Sequence, residues 1–126
     1  MKQALTYLVL GSLLTLSAGT LGAVPAEKVT VTGEVIELSG YAMRDARGEE
    51  DAEAGKFRAL GGFPVGILTD EGEVYLALYK KPAPASPLET GNSILSELMG
   101  KQVVVRGRVY AAQGIKVLEI SIVSEM

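Results

Sequence analysis

The sequence predicts a small, mainly all-β domain, and three observations carry that prediction. Five segments alternate apolar and polar residues at the period of a strand. Tight-turn residues join the second to the third and the fourth to the fifth. One short helical segment separates the third from the fourth. The chain has 126 residues, a length that suits one domain.

The first 26 residues read as an address and not as part of the domain. Lys2 supplies a positive start, Ala4 to Leu16 is an uncharged apolar stretch, and Val24-Pro25-Ala26 offers a cleavage site. Cleavage after Gly22 or Ala23 fits the same pattern. The uncharged run from Gln3 to Ala26 spans 24 residues, so a retained membrane anchor is the alternative. Its Ser, Thr and Gly content makes it a poor span. With no Cys in the chain, lipid attachment at a lipoprotein signal is excluded. The expectation is a signal peptide over 1–26, a domain over 27–126, and a periplasmic or secreted location with no stable membrane span after cleavage.

The elements follow in order. Lys28 to Leu38 alternates Val29, Val31 and Val35 with Thr30, Thr32 and Glu34, as a half-buried strand does. Gly33 interrupts the side-chain row and predicts a bend. A long polar excursion, Ser39 to Gly62, follows; its later half, Glu49 to Leu60, fits a short helix ending at Gly61-Gly62. Phe63 to Thr69 is the second strand, with Phe63, Val65 and Ile67 on one face. Asp70-Glu71-Gly72 reads as a hairpin turn. Glu73 to Lys80 is the third strand, read with Val74, Leu76 and Leu78 inward and Tyr75, Ala77 and Tyr79 outward.

A Pro/Ala-rich loop, Pro82 to Pro87, leads to a short helix capped by Asn92 or Ser93, with Ile94, Leu95 and Leu98 apolar and Gly100 at its end. Lys101 to Ala112 places Val103, Val105 and Val109 inward and Arg106, Arg108 and Tyr110 opposite. Gln113-Gly114 turns the chain. Ile115 to Ser124 closes the set with Leu118, Ile120 and Ile122 on one face. This order matches the OB-fold: a five-stranded Greek-key barrel, with the short helix between strands 3 and 4 and a long, partly helical loop between strands 1 and 2. A half-open sandwich is the alternative. The barrel is favoured because closure removes exposed edges.

Composition narrows function. With no His and no Cys, there is no Ser-His-Asp triad, thiol nucleophile, disulfide or His/Cys zinc site. No G-x-S-x-G, S-x-x-K, P-loop or G-x-G-x-x-G motif occurs. A hydrolase built on carboxylates is the weakest class, since no paired, spaced carboxylates support it. Glu49, Glu50, Asp51 and Glu53 form an acidic cluster, but without a calcium-loop spacing. A solvated helix N-terminus favoured by the macrodipole is the simpler account. The net charge of −3 argues against general nucleic-acid binding.

Charge is unevenly spread. Residues 27–53 hold eight acids against three bases, whereas residues 101–116 hold four bases (Lys101, Arg106, Arg108, Lys116) and no acid. That basic hairpin fits an anionic ligand or an acidic partner; an ordinary solvated strand face is the bland alternative. Tyr75, Tyr79 and Tyr110 on outward positions would form a stacking surface, although tyrosine favours strands in any case. In the long excursion, Tyr41, Met43, Arg44 and Phe57 are candidate contacts. Phe57 is expected to pack inward instead, covering the barrel end.

The segments Val31 to Val35, Gly62 to Thr69 and Gly100 to Val109 resemble those of small exported bacterial OB-fold-like proteins without an established activity. The resemblance covers nearly all of the mature chain. It implies a Cys-Tyr pair and a His-x-x-Cys-x-x-x-Cys spacing in the excursion, suited to a soft metal or a redox site. Here those positions read Gly40-Tyr41 and Asp51, Ala54, Arg58, so no metal or redox role carries over. More distantly, the strand pattern and export signal resemble periplasmic OB-fold proteins of stress tolerance. The leading expectation is an exported, non-enzymatic OB-fold binding module for a small molecule, peptide or envelope partner. It would need no cofactor, and Tyr41, Arg44, Tyr75, Tyr79, Arg106, Arg108 and Tyr110 would be its contacts. The competing expectation is a structural or interaction protein of the envelope that associates through complementary charged surfaces.

Overall fold

The structure, a computed structural model, describes residues 26–79 and 91–126. The leader reading up to residue 25 and the 82–87 loop lie outside the described residues. The elements are β1 (Glu27–Glu37), α1 (Leu38–Arg44), α2 (Gly48–Leu60), β2 (Val65–Thr69), β3 (Val74–Tyr79), α3 (Gly91–Leu95), β4 (Gln102–Ala112) and β5 (Ile115–Glu125); α3 runs on into a 3-10 turn over Ser96–Leu98. The strands close into a barrel in the order β1-β2-β3-β5-β4. All neighbours are antiparallel except β3 and β5, which are parallel. This is the OB-fold-like barrel that the strand order predicted.

The core is the inward row of each strand: Val31 and Val35, Val65 and Ile67, Ala77, Val103 and Val105, Leu118 and Ile120, closed at one end by Leu95 and Met99. These aliphatic side chains supply most of the drive to fold, at roughly 1.5–3 kcal/mol for each fully buried one. Gly33 is where β1 serves two neighbours at once. It stands opposite Thr69 on β2 and Val103 on β4. A Cβ there would fall 2.4 Å from the Leu68 carbonyl oxygen, so only glycine permits the coil that closes the barrel.

Two face assignments differ from the sequence reading. In β3 the inward row is Tyr75, Ala77 and Tyr79, not Val74, Leu76 and Leu78. Tyr75 opposes the fully buried Ile67, and Ala77 opposes the fully buried Leu118. Leu78 is 52% exposed. An apolar-polar alternation cannot set its own phase when both rows are apolar or aromatic; pairing with β2 sets it.

In β5, Ile122 is exposed and Val123 packs on the core. The register jumps between Arg106 and Gly107: Arg106 opposes Ile122, while Gly107 opposes Ile120. Ser121 is thus an extra residue, a β-bulge, and the alternation inverts across it. Gly107 makes this possible, since a Cβ there would meet the Glu119 carbonyl oxygen at 2.1 Å.

The excursion between β1 and β2 is two helices and not one. α2 matches the expected later half. Its inward line is Gly55 and Ala59, small residues that let the helix approach Met99; a Cβ on Gly55 would lie 3.0 Å from Met99 Cγ. Phe57 therefore points outward, 80% exposed, and does not cover the barrel end. β2 begins at Val65, so Phe63 lies outside the strand and is also exposed. Asn92 does not serve as a helix cap. Its side-chain amide donates to the carbonyls of Ala59 (3.2 Å) and Phe63 (2.8 Å), tying α3 to the end of α2. Gln113 and Gly114 both have positive φ, 52° and 82°, the type I′ geometry of a tight hairpin.

Candidate functional site

The outward faces of β1, β4 and β5 form a basic groove. Across the β1–β4 ladder Lys28 stands opposite Arg108 and Thr30 opposite Arg106; across β4–β5 Arg106 stands opposite Ile122. Lys28, Thr30, Arg106, Arg108, Ser121 and Ile122 line a depression of about 360 Å³. The bulge at Ser121 helps to shape it, because it turns Ile122 out of the core and into this face. Tyr110 is exposed two residues beyond Arg108.

The electrostatics of the groove are one-sided. Among the described residues, no ion pair involves Lys28, Arg106 or Arg108. Lys28 and Arg108 are like charges directly opposite each other on paired strands, which is unfavourable without a counter-charge. Glu119 shares the Arg108 rung on β5 but forms no ion pair with it. The other two bases of the hairpin are engaged. Lys101 pairs with Glu125 at 3.4 Å, and Lys116 pairs with Glu73 at 3.3 Å while its ammonium sits 5.8 Å from the Tyr75 ring centre.

Of the residues expected to bind, the structure gathers Arg106 and Arg108, with Tyr110 adjoining. It adds Lys28, which a search confined to one hairpin misses. The outward row of β1, read as Lys28-Thr30-Thr32, could have found it once β1 was paired with β4. Tyr75 and Tyr79 are removed from the expected surface, since both pack against the core. The Tyr75 hydroxyl donates to Glu73 at 2.9 Å. Burial and the Glu73 carboxylate raise the Tyr75 phenol above its ordinary value, while hydrogen bonds from Tyr75 and Lys116 lower the Glu73 carboxyl. Tyr41 and Arg44 sit on α1, after the far end of β1. Lys28 and Glu37 are about 30 Å apart along a fully extended strand, so Tyr41 and Arg44 do not join the groove.

The most heavily engaged ionic group lies elsewhere and went unforeseen. Glu37 ends the inward row of β1, and its side chain is fully buried. Its carboxylate accepts from the Ser39 hydroxyl (2.6 Å), the backbone amides of Ser39 and Gly40, and Arg58 Nε. Arg58 also reaches Asp51 through Nη2 at 2.7 Å. Burial alone would raise the Glu37 carboxyl, but the bonds from Ser39, Arg58 and Gly40 outweigh it and hold it below 4.5; the Glu37 hydrogen bond in turn raises Arg58. With every acceptor direction used, Glu37 is a clasp for α1 and α2, not a base awaiting a substrate.

Glu34 performs a related task, accepting the Gly48 amide at the start of α2 at 2.6 Å. The acidic first turn of α2 is thus split. Asp51 is half-buried in the clasp, whereas Glu49 and Glu50 are exposed. Among the described residues, no group of three or more His, Cys, Asp or Glu side chains is placed to hold a metal ion. No helix among them is long and apolar enough to cross a membrane.

Compared with protein-family models, curated proteins and solved structures, the chain matches none. The groove and its charges therefore carry the functional argument by themselves.

Proposed function

We propose that this chain is an exported, non-enzymatic binding module that takes an anionic small molecule in the Lys28/Arg106/Arg108 groove. The observation that supports this most is a set of three cations on one concave face, none of them in an ion pair among the described residues. Thr30 and Ser121 add hydroxyl donors beside them, and Ile122 adds an apolar wall. Arg presents a planar fork of donors that matches carboxylate and phosphate oxygens. The ligand would also relieve the opposition of Lys28 and Arg108.

Titration with pyrophosphate, followed by amide chemical shifts, tests the reading. Shifts should concentrate on Lys28, Arg106, Arg108 and Ser121, and Arg106→Ala/Arg108→Ala should abolish them. Uniform small shifts over the whole surface, or an unchanged response in the double variant, would refute it.

A second reading is an interaction protein of the envelope that associates through complementary charge. One observation favours it: exposed Glu50 and Glu53 and an exposed aromatic, Phe57, share one side of α2.

A further inference from the structure

The outward face of α2 is a continuous stripe. At helical spacing, Glu50, Glu53, Phe57 and Leu60 stand on one side, with Glu49 beside them. Phe57 is 80% exposed and Leu60 57% exposed. Phe63, just past the helix end, extends the apolar part. A surface helix normally presents only polar residues to water. This one presents carboxylates in its first half and an uncovered Phe/Leu pair in its second.

The β4 row has the complementary order, Arg106 and Arg108, neither in an ion pair among the described residues, and then exposed Tyr110, with Lys28 beside them on β1. The dimensions also agree. Glu50 to Leu60 spans about 15 Å of helix, and Tyr110 to Arg106 about 13 Å of strand. The two faces cannot meet within one molecule. α2 is clasped to the C-terminal end of β1 through Glu37, and the groove lies at its N-terminal end.

We propose that the occupant of the α2 face is the basic groove of a second copy of this chain. Glu50 and Glu53 approach Arg106 and Arg108, while Phe57 and Leu60 cover Tyr110. The contact joins two different surfaces, so it is heterologous, and each added copy leaves one free face of each kind. This deepens the second reading above and does not depend on the binding of a small anion. A phospholipid surface suits the α2 face poorly, because anionic headgroups would meet its three glutamates.

Sedimentation velocity at low ionic strength, up to about 1 mM, where weak specific complexes assemble, provides the test. The wild-type chain should grow past a dimer with concentration and shrink with added salt. Arg108→Glu alone and Glu53→Arg alone should each be monomeric, with circular dichroism unchanged because both positions are exposed. Mixed in equal amounts, the two variants should associate, since the intact helix face of one meets the intact groove of the other. Phe57→Ser/Leu60→Ser should lose self-association yet keep any response to pyrophosphate. If pyrophosphate binding is absent while the mixed variants still pair, this proposal is supported and the small-anion reading falls. A wild-type chain monomeric throughout, self-association of Arg108→Glu like the wild type, or a mixture that stays monomeric would overturn it.

Discussion

Replacing Arg58 by Met isolates the contribution of the buried clasp. The substitution keeps a flexible, unbranched stem but removes the cation that Glu37 faces. Breaking a buried ion pair from one side costs about 3–5 kcal/mol, because the remaining charge stays buried without compensation. Here the Ser39 hydroxyl and the backbone amides of Ser39 and Gly40 still donate to Glu37. The lower end, about 3 kcal/mol, is therefore expected. For a domain of this size each kcal/mol moves the melting temperature by about 4–8 °C, so a fall of about 12–24 °C should appear in thermal unfolding followed by circular dichroism. The double variant Glu37→Gln/Arg58→Met should lose less than the two single variants together, by about 2 kcal/mol, since residues in one ionic network are coupled. A fall of less than about 4 °C, corresponding to under about 1 kcal/mol, or strict additivity, would show that Arg58 merely lies beside Glu37.

Three further outcomes follow from the same structure. Because the folded state holds Glu37 below its ordinary 4.5, the unfolded chain binds that proton more readily. Stability from this group is complete above about pH 4.5 and is lost as pH falls through the lower folded value; the melting gap between wild type and Glu37→Gln should narrow over that acid range. In β3, Leu78→Ser should change stability by no more than about 0.5 kcal/mol, whereas Ala77→Asp should prevent folding at ordinary temperature, and the reverse pattern in urea unfolding would contradict the inward assignment of Tyr75, Ala77 and Tyr79. Gly33→Ala should cost about 3 kcal/mol or more, at the upper end of overpacking effects, because its new methyl would meet the Leu68 carbonyl and not a flexible side chain.

The order of the elements and both hairpin turns were legible in the sequence, because each rests on short-range signals, whereas closure of the barrel rests on the distant β1–β4 and β3–β5 pairings and was favoured only by the cost of open edges. The phase of a strand was legible only where one row is polar. The outward row of β4 is Arg106, Arg108 and Tyr110, which cannot face a hydrocarbon core, so its phase was read correctly. β3 offers leucines on one row and tyrosines on the other, and its phase came from pairing with β2. Apolarity alone points Phe57 inward, whereas the small residues Gly55 and Ala59 are what allow the close approach. The clasp was illegible for a different reason. Glu37, Asp51 and Arg58 look like three ordinary surface charges, and only the chain reversal through α1 brings them together. Lys28 joined the groove for the same kind of reason, since its neighbours are supplied by a strand more than seventy residues away.

The bulge at Ser121 has a consequence for how this barrel can change over time. In a regular strand, each residue's loyalty to core or solvent is tied to that of every other residue in the strand. One inserted position uncouples the two halves of β5. Leu118 and Ile120 obey one parity and Val123 the other, so the groove wall at Ser121 and Ile122 can drift in chemistry while the barrel interior stays constant. Deleting Ser121 would leave a regular alternation with the faces unchanged, Ile120 and Val123 inward and Ile122 outward. The same scaffold could thus have its recognition face rewritten residue by residue, and even the loss of the bulge residue would keep Val123 in the core.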